Sequence, residues 1–311
     1  MFGGSFSEPL FILWGMQEPF HLEALLRAAL SEDLGERGDI TSHAIQAGNY
    51  LARGTCIAKS TGVVAGTSLA EKVYKMIDTS VLIEIHKPDG SAVEPGNVLF
   101  EVYGNAYTIL TGERLVLNLL QRLSGIATLT RMYVEAVAGT GCQVLDTRKT
   151  TPLWRALEKW AVHLGGGVNH RFGLYDQFLI KDNHIDLVGS VGQAIAHIVA
   201  YKKAQQLAAP IVVEVRNLRE IAEALEWQVE IDRLLLDNFS VEQVRRAVEY
   251  IGGRLPVEVS GGITLDNARA YAEAGANYLS AGALTHSARA LDISLKIRHT
   301  AGGSDAAPPP A

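Results

Sequence analysis

Cysteine is nearly absent: Cys56 and Cys142 are the two in 311 residues. They lie far apart beside small or apolar neighbours, which excludes a disulfide framework and a thiolate metal site and leaves two buried, reduced thiols. A surplus of positive charge is absent too. Lysine and arginine number 28 against 34 acids, a net charge of -6, which argues against a nucleic-acid surface but still allows a small basic pocket in an acidic exterior. Long apolar runs are missing at the start, where Leu10 to Trp14 follows Glu8 and has no basic residue ahead of it. That stretch is too short for a span and wrong for a secretory signal. Residues 1–18 are therefore expected to be a dispensable leader and the protein cytoplasmic. Metal-ligand register is also lacking: His163, His170 and His184 fall on a helix, a loop and a strand end with no acid in step, which argues against a zinc held by protein ligands.

What is present suffices for a large core, since 48% of the residues are apolar and 20% charged, enough for one barrel or two smaller domains. LEALLRAAL (Leu22 to Leu30) has helical period and is broken by Gly35 and Gly38. Strands are expected at Gly54 to Ala58, Gly62 to Ala65, Val81 to His86 and Val98 to Tyr103, with turns at Pro88 to Gly90 and Pro95 to Asn97. KPDGSAVEPGNVLFEV is similar to the biotinyl or lipoyl carrier fold, yet Lys87 lacks the flanking residues of a carrier, so this stretch is read as scaffold. A helix is expected over Glu113 to Leu123, burying Leu115, Leu119, Leu120 and Leu123 with Arg114 beside them. The texture then changes to CQVLDTR, QFLIKDN, PIVVEV, RLLLDN, PVEVSGG and NYLSAGA, short apolar runs separated by amphipathic helices. Runs buried on both faces belong to a parallel sheet, and the repetition favours an α/β barrel. LDISLKIRH alternates like an edge strand that returns to the first domain, and residues 300–311 read as disordered. The expected division is a first domain over residues 19–125 plus about 288–299, and a barrel over residues 126–287.

One stretch, Val144 to Ile185, gathers Arg148, Lys149, His170, Arg171, Lys181 and His184 around the glycines Gly165 to Gly167. Cations placed at strand ends aim at one point, which should hold an anion. Arg155 and Lys159, on an intervening helix, are set apart as a solvated face. Polar residues end the other runs as well, at Glu214, Asp237 to Asn238, Ser260 to Gly262 and Ala281 to Ala283. The carboxyl ends of barrel strands are where chemistry sits. The two glycine turns can cradle a phosphate, with tight packing as the alternative. Glu214 and Asp237 interrupt apolar strands and must face a cation, a metal or a hydroxyl. They could pair with Lys181 and Arg171, or bind ribose hydroxyls and a metal phosphate.

DTRKT at Asp146 to Thr150, GGGVNHRFGLYDQFLIKDNH at Gly165 to His184 and VEVSGGI at Val257 to Ile263 resemble the quinolinate phosphoribosyltransferase family. So do EDLGERGDIT at Glu32 to Thr41, GERLVLNLLQRLSGIAT at Gly112 to Thr128, LLLDN at Leu234 to Asn238 and the later SAGALTHS, so that the likeness runs from about Pro19 to Ile297. The resemblance implies a type II phosphoribosyltransferase, an α/β open sandwich domain joined to an incomplete (β/α) barrel, assembled as a homodimer or higher oligomer with shared active sites. It implies that quinolinate and 5-phosphoribosyl 1-diphosphate react, with Mg2+, to nicotinate mononucleotide, diphosphate and carbon dioxide in de novo NAD biosynthesis. It further implies that Arg148, Lys149, His170 and Arg171 line the quinolinate carboxylates, helped by Arg114 of the partner subunit, that Thr150 binds substrate, and that Lys181 meets the diphosphate or the substrate anion. Lys181, Glu214 and Asp237 would be catalytic, the two acids meeting ribose and magnesium. Ser260, Gly261 and Gly262 with Ala281, Gly282 and Ala283 would hold the 5-phosphate, supported by His286. Arg216, where many relatives carry an acid or small polar residue, and the long leader depart from the pattern. A related type II enzyme of nicotinate or molybdenum metabolism, and a non-enzymatic anion binder, are the competing readings.

Overall fold

The computed structural model describes residues 22–300, so the expectations for the leader and for nearly all of the tail lie outside the described residues. The chain forms two compact units. Within the described residues, one holds residues 22–129, 152–165 and 288–300, and the other Thr130–Thr151 with Gly166–Ser287.

In the first unit the strands β1 (Leu51–Ala58), β2 (Gly62–Val63), β3 (Leu82–Ile85) and β5 (Val98–Asn105) overlap the four segments expected, and a short strand β4 (Ala92–Val93), between the two expected turns, was not expected. β1 buries Ala52, Gly54, Cys56 and Ala58 and turns the residues between them outward, the period-2 pattern of a sheet with one core face. The Pro88 to Gly90 turn serves as scaffold: Asp89 accepts hydrogen bonds from Thr67 N at 2.9 Å and Ser68 N at 3.2 Å, capping the helix Thr67–Ile77.

The helix expected over Glu113 to Leu123 is far longer, Ala106–Ala136. Ser124 and Gly125 do not end it, because Gly125 is there for close approach. A Cβ at that position would lie 2.0 Å from the carbonyl oxygen of Arg289. A second correction concerns the helix Arg155–Leu164, which packs with the first unit rather than presenting a solvated face. Glu158 and Lys159 are both fully buried. The reason is a partner supplied by the long helix, since Arg122 Nη2 lies 2.8 Å from Glu158 Oε1.

The second unit contains β6 (Gln143–Leu145), β7 (Phe178–Ile180), β8 (Ile211–Val215), β9 (Arg233–Asp237), β10 (Val257–Ser260) and β11 (Tyr278–Ser280). All six apolar runs contain a strand, and they form one parallel sheet in the order β6-β11-β10-β9-β8-β7. β6 and β7 are the outer strands, so the barrel is incomplete. Helices between the strands start on side-chain caps: Ser190 accepts from Gln193 N, Asn217 from Glu220 N and Ser240 from Gln243 N. Such caps contribute about 1 kcal/mol each. The last strand, β12 (Ile293–His299), returns to the first unit and completes an antiparallel sheet ordered β12-β1-β5-β3. Among the described residues no helix is long and apolar enough to cross a membrane.

Candidate active site

Parallel register decides which side chains share the inner face of the second unit. Leu235 of β9 stands level with Glu214 of β8 and Glu258 of β10, and two residues further on Asp237 stands level with Ser260. Residues in register on adjacent parallel strands point the same way, so acids on three strands turn into one space. A cavity of about 810 Å³ opens there, lined by these residues, by Arg148, Lys149, His170, Arg171 and Lys181, and by both glycine turns. It lies entirely within the second unit, at the carboxyl ends of the strands, where parallel α/β folds place their ligands.

The cations are held by their neighbours. Asp146, fully buried at the end of β6, accepts from the backbone N–H of His170 at 2.8 Å and from the Asn169 amide, fixing the loop after the glycine triplet. Asp176 folds that loop back by accepting from Gly173 N at 2.9 Å, and Arg171 Nη1 donates to the Gln177 carbonyl at 3.2 Å. The Thr285 hydroxyl donates to the Lys149 carbonyl at 2.8 Å, tying the second glycine turn to the Arg148 segment. Gly261 is required where it stands: its φ is +90°, and a Cβ would meet Asn238 Oδ1 at 2.1 Å.

Electrostatics single out an anion-binding surface. Burial first, and then the neighbouring charge of Arg148, push the Arg171 guanidinium below its ordinary range, against the opposing pull of Asp176. Arg148 Nε is buried and has no hydrogen-bond partner, a costly condition that a planar carboxylate relieves with a bidentate contact. On the acidic side, burial and then the charges of Asp237 and Asp182 raise the Glu214 carboxyl, while Lys181 pulls it down from 3.7 Å. Asp237 is engaged differently: Ser260 Oγ donates to one oxygen at 2.6 Å and Asn238 Nδ2 to the other at 2.7 Å.

Of the residues expected to bind or react, Arg148, Lys149, His170, Arg171, Lys181, Glu214, Asp237, Ser260, Gly261, Gly262, Ala281, Gly282, Ala283 and His286 line the cavity. Thr150 does not, and Arg114 is exposed on the long helix of the first unit. His184, considered with the cations, instead accepts from the Lys181 backbone N–H at 2.9 Å and caps the helix Asp182–Val188. The Glu214 pairing with Lys181 exists as an alternative reading had it, whereas Arg171 does not pair with Asp237. Arg216 lies outside the cavity, held by Asp186 at 2.9 Å and Glu220 at 2.7 Å. Among the described residues, the group with metal-ligand spacing is Glu84, His86 and Glu101 in the first unit. Its buried member Glu101 already accepts from Arg53, Thr55 and Tyr103.

Sequence reasoning missed Glu258, which is fully buried on β10 and lines the cavity. The signal was there, because an acid between valines in VEVS repeats the pattern of Glu214 in VVEV. Burial alone would raise the Glu258 carboxyl, but donors and charge from His170, Arg233 and Ser280 outweigh it and hold the group below the ordinary carboxylate range. Ser280, Asn238, Thr147 and Asp182 also line the space.

Comparison with known proteins places this geometry. The quinolinate phosphoribosyl transferase C-terminal domain model matches residues 126–296, and its N-terminal counterpart residues 39–124. The chloroplastic nicotinate-nucleotide pyrophosphorylase (carboxylating) of Oryza sativa subsp. japonica is 44% identical over 291 residues, covering 89% of this chain and 78% of that protein. The mitochondrial quinolinate phosphoribosyltransferase (decarboxylating) 2a of Nicotiana tabacum is 41% identical over 291 residues, covering 89% and 82%. The crystal structure of NadC from Streptococcus pyogenes superposes with a TM-score of 0.86 at 39% identity, covering 92% of this chain and 99% of that one. With both domain models matched in order along one chain, and with cations and acids converging on one barrel mouth, this protein belongs to the quinolinate phosphoribosyltransferase family.

Proposed function

We propose that this chain transfers the phosphoribosyl group of 5-phosphoribosyl 1-diphosphate to quinolinate with decarboxylation, giving nicotinate mononucleotide, diphosphate and carbon dioxide, a step of de novo NAD biosynthesis. The observation that carries this reading is the single cavity in which Arg148, Lys149, Arg171 and Lys181 face Glu214 and Asp237. A dianionic ring needs the arginines, and an activated sugar needs the acids.

Arg148 and Arg171 grip the quinolinate carboxylates and hold the ring nitrogen toward the sugar. Ser260 to Gly262 and Ala281 to Ala283 bring backbone close to the 5-phosphate. As diphosphate departs, the ribose carbon gains positive charge, which Glu214 and Asp237 stabilise while Lys181 faces the leaving group. The ring nitrogen bonds to that carbon. The adjacent carboxylate then leaves as carbon dioxide, its electron pair staying on the ring carbon beside the positively charged nitrogen, and that carbon takes up a proton from water. No protein nucleophile takes part.

Magnesium fits the donor set, since Glu214 and Asp237 offer hard carboxylate oxygens on neighbouring strands, and this ion binds through one or two carboxylates together with substrate phosphates. When bound, it neutralises charge on the departing diphosphate. Arg114, exposed on the long helix, is assigned to the site of a second subunit in a homodimer. A reducing, cytoplasmic setting suits Cys56 and Cys142, both buried and unpaired, whose thiols burial pushes up to about 12.

The test is incubation with quinolinate, 5-phosphoribosyl 1-diphosphate and magnesium, with carbon dioxide and mononucleotide measured together. Equal release of both is expected. Nicotinate consumed in place of quinolinate would overturn the reading. Mixing Arg114→Ala with Lys181→Ala subunits should restore activity if sites are shared, and no recovery would remove the shared site.

A further inference from the structure

Glu258 is the fully buried cavity acid that the reaction above leaves unused. Its carboxylate oxygens lie 3.4 Å from His170 Nε2 and 3.1 Å from Arg233 Nε. Arg233 sits one layer deeper on the same inner face, two residues before Leu235 on β9, and its guanidinium stacks 4.7 Å above the Tyr278 ring. It is therefore a fixed countercharge rather than a ligand-binding group.

On the other side of Glu258, the His170 ring is constrained at both nitrogens. Nδ1 accepts the backbone N–H of Arg171 at 2.7 Å. A ring nitrogen that accepts carries no proton, so the neutral imidazole keeps its proton on Nε2, the atom that faces Glu258. Were Nδ1 protonated, two N–H groups would oppose each other and the Arg171 backbone would have to move.

We propose that Glu258 is a positioning residue for diacid binding: it fixes the Nε2–H tautomer of His170, and through His170 Nδ1 it sets the backbone of Arg171. This rests on the assignment of Arg171 to quinolinate. The relay runs from β10 through one imidazole to the loop that carries the arginine. The carboxylate touches neither substrate nor reacting atoms.

Nitrogen-15 NMR of the wild-type protein, labelled at histidine and free of substrate, reads the tautomer directly, and His170 is expected as Nε2–H. An Nδ1–H signal there would overturn the proposal whatever any variant does. In Glu258→Gln, one face of the amide must oppose either Arg233 or His170, so the tautomer is no longer enforced and its signals should move toward a mixture. The KM for quinolinate should rise about tenfold, the loss of roughly one hydrogen bond to a charged group. The KM for 5-phosphoribosyl 1-diphosphate should stay within about twofold, a split that general loosening of the barrel would not produce. An unchanged tautomer and an unchanged quinolinate KM in folded Glu258→Gln would also overturn it. Calorimetry of wild type with quinolinate separates the two readings, because absent binding removes the assigned substrate while the tautomer measurement still decides the relay.

Discussion

Buried glutamates in the two units are treated in opposite ways. In the first unit Glu101, 7% exposed, accepts from Arg53, Thr55 and Tyr103, and Glu158 accepts from Arg122 through two nitrogens. In the second unit Glu258 is as deeply buried, yet neither of its oxygens has an aligned hydrogen bond, and Glu214 faces Lys181 at 3.7 Å. Saturated acids hold a fold together, whereas Glu258 is held by His170 and the charge of Arg233, and Glu214, beside a single lysine at the cavity, is left to meet a ligand. A buried charge is thus informative only with its partners counted.

The comparison breaks most visibly at Asp237. Asp237→Ala should lower kcat about 10²–10³-fold, as loss of a preorganised electrostatic group at the reacting carbon does, and carbon dioxide release near the wild-type rate would show that Asp237 is structural. Glu158→Ala tests the other unit. Leaving Arg122 without its buried acid should cost about 3–5 kcal/mol of stability, read as a lower denaturant midpoint, while the KM for both substrates stays put. A catalytic defect without a stability loss would erase the distinction between the two units.

Arg148→Ala should raise the quinolinate KM about tenfold to hundredfold, the loss of hydrogen bonds to a charged group, with kcat affected less; steady-state kinetics in both substrates separate these. The smallest effect concerns pH. Burial, Asp237 and Asp182 raise the Glu214 carboxyl above its ordinary 4.5, so it binds a proton where an ordinary glutamate has released one. Activity that needs the carboxylate should fall as pH drops through that raised value, and Glu214→Gln should lack this acid limb. For stability the sign reverses: the folded chain holds a proton the unfolded chain has lost, so Glu214 contributes less as pH rises above 4.5. An acid limb no higher than that of an ordinary glutamate would place Glu214 with the saturated acids.

The strands of the second unit were legible because each is a short apolar run closed by polar residues, and one sheet carries all six. The glycine turns and strand-end cations were legible for the same reason. Lys159 was not, because its burial depends on packing within a unit whose other parts lie far away in sequence. Its neighbour Glu158 finds a partner in Arg122, 36 residues earlier. Glu258 was overlooked although it carries the mark used to select Glu214. What periodicity could not supply was the layer each acid occupies, and that comes from register between β8, β9 and β10. The family resemblance added substrate and reaction, which no pattern of apolar residues encodes.

The pairing of β12 with β1 joins Ala52 to His299 and Ala58 to Ile293. During synthesis on the ribosome, β1 must wait with one edge bare until almost the whole chain has emerged, whereas every strand of the parallel sheet is available by Ser280. The barrel can therefore assemble before the sheet that precedes it in sequence is complete, and a chain cut short of Ile293 would carry an open strand edge prone to self-association.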